Sequence, residues 1–308
     1  MRGRDFISIT DVTSQELDTV LQTAMGLKDK GRQTLLAGKT LALVFEKPSL
    51  RTRVSFHVAM RHLGGDCIYL SPPEVGLGER ETPADVARVL SRYVDCIAAR
   101  TFKTETQSEL AAHATVPVIN ALSDGEHPCQ ALADMLTVRE KKGVLRGLTL
   151  AFIGDGNNVA NSLSLAAAMS GMHFRIASPE EYGLPGDIRA RASELAEASG
   201  GSLKAMHNPA EAVADADVVY TDVWASMGQE HEASQRKEYF AGYKVDAKLM
   251  GEAKPDAIFM HDLPAHRGEE VSGDVIDGPH SVVFDQAENR LHAQKALLAL
   301  ILSDETGS

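Results

Sequence analysis

Residues 46 to 53 read Glu46-Lys47-Pro48-Ser49-Leu50-Arg51-Thr52-Arg53, a run that gathers two hydroxyls and two guanidinium groups. It follows the apolar stretch Leu41-Ala42-Leu43-Val44-Phe45, which suits a strand buried on both faces. It precedes Val54-Ser55-Phe56-His57-Val58-Ala59-Met60, which has helical spacing. The polar residues therefore occupy a strand-to-helix turn, where free backbone N–H groups and the positive end of the helix dipole attract an anion. Planar arginine forks match phosphate oxygens, and Ser49 and Thr52 add hydroxyl donors. By itself the cluster reads equally well as a helix cap beside two surface arginines. The rest of the chain separates the two readings.

The chain has 308 residues, 44% of them hydrophobic, and a formal net charge of −12. That charge argues against nucleic acid or an anionic membrane as a partner, and it makes a local concentration of arginine more telling. Three cysteines, Cys67, Cys96 and Cys129, lack metal-ligand spacing. Cys67 and Cys96 fall in strand-like runs, so all three are expected to be reduced and these two to lie in the core. No run of 18 apolar residues and no apolar N-terminal segment is present, which predicts an unprocessed cytoplasmic protein.

Four further polar clusters follow strand-like runs. His127-Pro128-Cys129-Gln130 opens a helical pattern, and Gly154-Asp155-Gly156-Asn157-Asn158 follows Leu148–Ile153. Asp222-Val223-Trp224-Ala225-Ser226-Met227-Gly228 follows Asp217–Tyr220, and His261-Asp262-Leu263-Pro264-Ala265-His266-Arg267 follows Ala257–Met260. Polar clusters at the carboxyl ends of strands are where open α/β sheets bind ligands. The glycine turn after Ile153 is also a near match to a dinucleotide fingerprint. Against that reading, the next strand ends Ile176-Ala177-Ser178-Pro179, without the acidic residue a ribose requires, and two asparagines stand where a pyrophosphate needs bare backbone.

Together and in this order, the five segments resemble the aspartate/ornithine carbamoyltransferase family, and the Asn157-Asn158 and Asp222–Gly228 segments resemble its ornithine-specific members. The resemblance runs from Asp5-Phe6-Ile7 to Ala287-Glu288-Asn289-Arg290. It implies transfer of the carbamoyl group of carbamoyl phosphate to the δ-amine of L-ornithine, giving L-citrulline and phosphate, with no cofactor and no metal. The residues it implies for carbamoyl phosphate are Ser49, Leu50, Arg51, Thr52, Arg100, His127 and Gln130. For ornithine they are Asn158, Asp222, Ser226, Met227, Asp262, Leu263 and Arg290. Arg100, His127, Gln130, Asp262 and Arg290 carry the catalytic expectation. The family assembles as trimers, so a homotrimer is expected.

Three positions depart from the family pattern. Leu50 stands where a threonine is common, Gly76 falls near a glutamine that reaches a neighbouring subunit, with Arg80 close by, and Asp262 replaces a cysteine. These departures leave open a carbamoyltransferase acting on a related amine, such as putrescine or a modified ornithine. They also leave open a non-catalytic regulatory homologue, although Arg51, Arg100, His127 and Gln130 are all present.

The elements that must position these residues alternate. Strand-like runs recur at Thr40–Phe45, Asp66–Leu70, Asp95–Arg100, Val116–Asn120, Thr149–Ile153, His173–Ala177, Val218–Thr221, Ile258–His261 and Ser281–Asp285. Helical patterns fall between most of them, at Ser14–Lys30, Arg53–Leu63, Pro83–Tyr93, Thr106–His113, Pro128–Lys141, Asn161–Met172 and Asp187–Ser199. Alternation of this kind predicts an α/β protein of two doubly wound parallel-sheet domains with the active site in the cleft between them. The expected division places residues 1–141 in a carbamoyl-phosphate-binding domain, with a helix in 287–308 packing back on it, and residues 142–286 in an ornithine-binding domain.

Overall fold

A computed structural model describes residues 1–78, 80–225 and 232–303. The chain forms two compact units, Met1–Leu136 with Glu288–Ser308, and Thr137–Ala287. Each is built on one sheet.

In the first unit the strands are β1 (Thr40–Phe45), β2 (Asp66–Leu70), β3 (Cys96–Arg100) and β4 (Val118–Leu122), in the spatial order β2-β1-β3-β4. All pairings are parallel. Strands β3 and β4 are buried throughout and β1 in all but its first residue, as sheets covered on both faces require. Their inward residues Ala42, Val44, Ile97, Ala99 and Val118 pack with Val86 and Ala87 of helix Pro83–Leu90. Chain order reverses between β1 and β3, the switch point at which such sheets bind ligands.

In the second unit the strands are β5 (Thr149–Ile153), β6 (His173–Ala177), β7 (Ser202–Met206), β8 (Val218–Thr221) and β9 (Ile258–Met260). They lie in the order β7-β6-β5-β8-β9, again all parallel. Ala151, Ile153, Val219 and Phe259 form a core with Val213, Val275 and Ile276. The switch point here lies between β5 and β8.

Several expectations are corrected. The helix expected from Arg53 begins at Leu50, because Ser49 accepts the Thr52 N–H and caps it three residues earlier. Likewise the helix expected from Asn161 begins at Asn158, with Asn157 accepting the Val159 and Ala160 N–H groups. Ser281–Asp285 is not a strand. Ser281 makes one bridge to Phe259, and the helix Val283–Leu302 starts two residues later. The expected sequence elements omit β7, an edge strand without a fully buried residue, whose Ser-Leu-Lys-Ala-Met sequence lacks the continuous apolar run of the central strands. Cys96 and Cys129 are buried, whereas Cys67 on edge strand β2 is half-buried. No helix among the described residues is long and apolar enough to cross a membrane.

Candidate active site

The first unit gathers cationic and neutral donors at its switch point. β1 leads into the Ser49-capped helix, so Leu50, Arg51 and Thr52 form its first turn. Leu50 is exposed at its side chain, and its backbone N–H, in the first turn, has no acceptor within the helix. The neighbouring strand β3 ends on Arg100, where the register to β4 shifts between Ala99 and Arg100. Irregularities of this kind re-aim a side chain, and Arg100 is buried.

Arg290, on the helix Val283–Leu302, ties the cluster together. Its Nη2 donates to Thr52 Oγ1 at 2.7 Å, and its Nη1 donates to Gln130 Oε1 and approaches His127 Nε2 at 3.5 Å. Ser49 Oγ also donates to Thr52 Oγ1, at 3.0 Å. With two donors on its oxygen, the Thr52 hydroxyl directs its own proton elsewhere. Gln130 directs one amide N–H to Asp134 Oδ1 at 2.8 Å. His127 is 2% exposed, and burial, then the charges of Arg290, Arg100, Lys47 and Arg51, hold its pKa well below that of an ordinary histidine. It is therefore neutral at pH 7. The structure thus groups Thr52, Gln130, His127 and Arg290.

The second unit gathers carboxylates. β8 ends at Thr221, and Asp222 follows with 6% exposure. Its Oδ2 accepts from Asn157 Nδ2 at 2.7 Å, and its Oδ1 accepts from the Val223 N–H at 2.7 Å. Asp222 is also hydrogen-bonded, side chain to side chain, to Asp262. Burial and then the Asp262 charge push the Asp222 carboxyl well above the usual range. Asn158 heads the helix Asn158–Met169, and Leu263 sits beside Asp262 with φ of 61°. Ser226 and Met227 lie outside the described residues.

The glycine turn after β5 is explained without a dinucleotide. A Cβ on Gly156 would stand 2.4 Å from the Gly183 backbone carbon, so glycine is needed for chain packing. Asn157 already occupies the N–H groups of Val159 and Ala160, those a pyrophosphate would use. Asp155, pushed up to about 6 by burial against the pull of Arg236, forms an ion pair with Arg236 at 2.7 Å.

Two groupings among the described residues have donor atoms close enough for a metal, Asp222-His261-Asp262 and His266-Glu269-Glu270. In the first, His261 Nδ1 accepts the Leu263 N–H at 2.9 Å. In the second, Glu269 is ion-paired to Lys237 at 2.7 Å. Neither offers three uncommitted ligand atoms.

These networks also include residues that local sequence does not mark as functional. Asp134 lies one helical turn after Gln130, a spacing that could have flagged it. Lys47, 8% exposed, lies in the 46–53 run, and its charge helps hold His127 neutral. The partnerships of Asn157 with Asp222 and of Arg236 with Asp155 span 65 and 81 residues and leave no local trace.

The model of the carbamoyl-P binding domain of aspartate/ornithine carbamoyltransferases matches residues 4–140, and that of the Asp/Orn binding domain matches residues 146–301. The chain belongs to the aspartate/ornithine carbamoyltransferase family. Within it, the chain is 54% identical over 306 residues to the anabolic ornithine carbamoyltransferase of Pyrococcus furiosus, covering 98% of this chain and 97% of the relative. It is 55% identical over 308 residues to the ornithine carbamoyltransferase of Symbiobacterium thermophilum, covering 98% and 99%. The solved Pyrococcus furiosus ornithine carbamoyltransferase structure superimposes with a TM-score of 0.95, covering 98% of this chain and 97% of that one.

Proposed function

We propose that the chain transfers the carbamoyl group of carbamoyl phosphate to the δ-amine of L-ornithine, producing L-citrulline and phosphate in arginine biosynthesis. The observation that carries this reading is a pair of complementary clusters in a member of this family. One is cationic at a helix N-terminus, and the other pairs the buried carboxyl of Asp222 with the partly buried carboxyl of Asp262. The first suits a phosphate and a polarised carbonyl, the second a diamino acid.

In this reading the first helical turn, Ser49 to Thr52, holds the phosphate. The Thr52 hydroxyl and Arg100 face the carbonyl oxygen with His127, while Gln130 and Arg290 fix their geometry. Donors aimed at a developing oxyanion are each worth ~2.7–4 kcal/mol when removed. Asn158 and Asp222 receive the amino-acid end of ornithine, together with Leu263, Ser226 and Met227. The neutral δ-amine attacks the carbonyl carbon, forming the C–N bond. The C–O bond to phosphate breaks, phosphate leaves with that electron pair, and Asp262 takes the proton the amine sheds. The fitting domain assignment gives carbamoyl phosphate to residues 1–141, with the terminal helix, and ornithine to residues 142–286. The reading also carries a homotrimeric, cytoplasmic enzyme.

The direct test is an assay with carbamoyl phosphate and, separately, ornithine, putrescine, N-acetylornithine and aspartate, scoring the carbamoylated product. Citrulline should dominate. Preferential carbamoylation of putrescine or N-acetylornithine would replace ornithine as the substrate, and no product with any amine would support an idle homologue. Because the free δ-amine has a pKa near the ~10.4 of lysine, activity should rise above pH 7 and the apparent KM for ornithine should fall. A flat profile there would remove amine deprotonation as the limiting equilibrium.

A further inference from the structure

The segment after β9 contains a buried acid that the chemistry above does not use. Glu270 is fully buried. Its Oε1 accepts the His266 N–H at 2.5 Å and lies 3.3 Å from His261 Nε2. Its Oε2 lies 3.7 Å from His266 Nδ1. Burial alone would raise the Glu270 carboxyl, but the bonds from His261 and the His266 N–H outweigh it and hold the group below its ordinary range. Glu270 is therefore a carboxylate at neutral pH.

His261 is equally buried. Its backbone N–H donates to Gln286 Oε1 at 2.9 Å, and Gln286 in turn donates to Tyr220 Oη at 3.0 Å. Its Nδ1 accepts the Leu263 N–H at 2.9 Å. A neutral imidazole donates through one nitrogen and accepts through the other. Acceptance at Nδ1 puts the proton on Nε2, facing Glu270. The other tautomer would set an Nδ1 proton against the Leu263 N–H and an Nε2 lone pair against a carboxylate. Both contacts would be repulsive.

The consequence falls on the loop between them. Leu263 holds φ of 61°, a left-handed conformation that costs a branched side chain free energy and persists only where neighbours enforce it. The bond from the Leu263 N–H to His261 Nδ1 is such an enforcement. Asp262 lies between these residues, its Oδ1 3.6 Å from the same Nδ1 and its carboxyl bonded to Asp222.

We propose that Glu270 is a positioning residue that locks the Nε2–H tautomer of His261, so that His261 Nδ1 holds the Leu263 N–H and the loop sets Asp262 against Asp222. The kinetic consequence rests on the assignment of Asp222 and Asp262 to ornithine. The tautomer itself does not, so the two can fail separately.

The test has a spectroscopic and a kinetic arm. In ¹⁵N-labelled protein, the His261 signals, assigned by their loss in His261→Asn, should report Nε2–H. In Glu270→Gln an amide N–H can face Nε2, so the Nδ1–H form should grow. The KM for ornithine should rise at least ~10-fold, as loss of a hydrogen bond to a charged group allows. The KM for carbamoyl phosphate should stay within about 2-fold, since its residues lie in the other unit. Asparagine places Oδ1 where Nδ1 stood and has no tautomer to lose. The double variant His261→Asn/Glu270→Gln should therefore return the ornithine KM to within about 3-fold of the parent. If Glu270→Gln does not fold, single variants decide. His261→Asn should keep the ornithine KM within about 3-fold, while His261→Leu, with no acceptor, should lose at least ~10-fold. An Nδ1–H signal in the parent, an unchanged ornithine KM in Glu270→Gln, or equal kinetics for His261→Asn and His261→Leu would overturn the proposal. A parent with the Nε2–H signal but no transfer to ornithine would uphold the tautomer lock and overturn the functional reading instead.

Discussion

His127 in the first unit and Asp222 in the second are both buried beside groups of their own charge type, and burial drives them in opposite directions. His127 loses basicity among Arg290, Arg100, Lys47 and Arg51, whereas Asp222 loses acidity beside Asp262. In each case the neighbours make the uncharged form the stable one. Each cluster is thus left with an excess of one sign that a ligand of the other sign relieves, a phosphate in the first and an ammonium in the second. The difference between them is the physical basis for assigning one ligand to each.

The largest expected effect comes from removing charge in the cationic cluster. Arg100→Ala should lower turnover by at least ~100-fold without unfolding the protein, the loss expected for one donor to an oxyanion. Near-normal turnover in a folded Arg100→Ala protein would take the carbonyl away from this cluster.

Next is the carboxyl pair. Asp262→Asn should weaken ornithine use by at least ~10-fold, about 1.4 kcal/mol, with carbamoyl phosphate affinity within a few fold. Asp262→Cys, toward the family residue, should retain measurable activity. Equal kinetics for Asp262→Asn and the parent, with a lowered melting temperature, would make Asp262 a structural residue.

The smallest effect is on stability, and it sharpens the comparison most directly. Unfolded histidine binds a proton below ~6.5, which folded His127 does not, so stability should fall as pH drops from ~6.5. Folded Asp222 keeps its proton where an unfolded aspartic acid, at ~3.9, has lost it, so stability should fall as pH rises from ~3.9 through the raised folded value. Each slope is at most about 1.4 kcal/mol per pH unit, the limit for a single proton. Denaturant unfolding across pH should show His127→Gln removing the first slope and Asp222→Asn the second. Slopes of the same sign for both residues would break the comparison.

Much of this molecule is legible along the chain because it is local. Parallel strands here are short, largely apolar runs, and β1, β2, β5, β6 and β8 have the limits their sequences predict. The polar clusters fall at strand ends because parallel connectivity puts all those ends on one edge of each sheet. Where a capping side chain acts, the helix start shifts, as Ser49 and Asn157 each shift theirs by three residues. Where chain continuation outweighs β propensity, as at Ser281–Asp285, a strand pattern becomes the entry to a 20-residue helix.

Residue types and their order along the chain single out five polar segments as the expected seats of the chemistry. Tertiary structure alone decided which of those residues act on one another. Arg290 reaches Thr52 across 238 positions, and Gln130 across 160, and it joins the first unit's cluster because the last helix belongs to that unit from Glu288 onward. Asp222 meets Asp262 because β8 and β9 are neighbours in the sheet. The tautomer of His261 depends on a carboxylate nine residues away with no helical or strand spacing to it. Protonation is set by burial and by the nearest charges, and both are properties of the folded packing rather than of any residue alone.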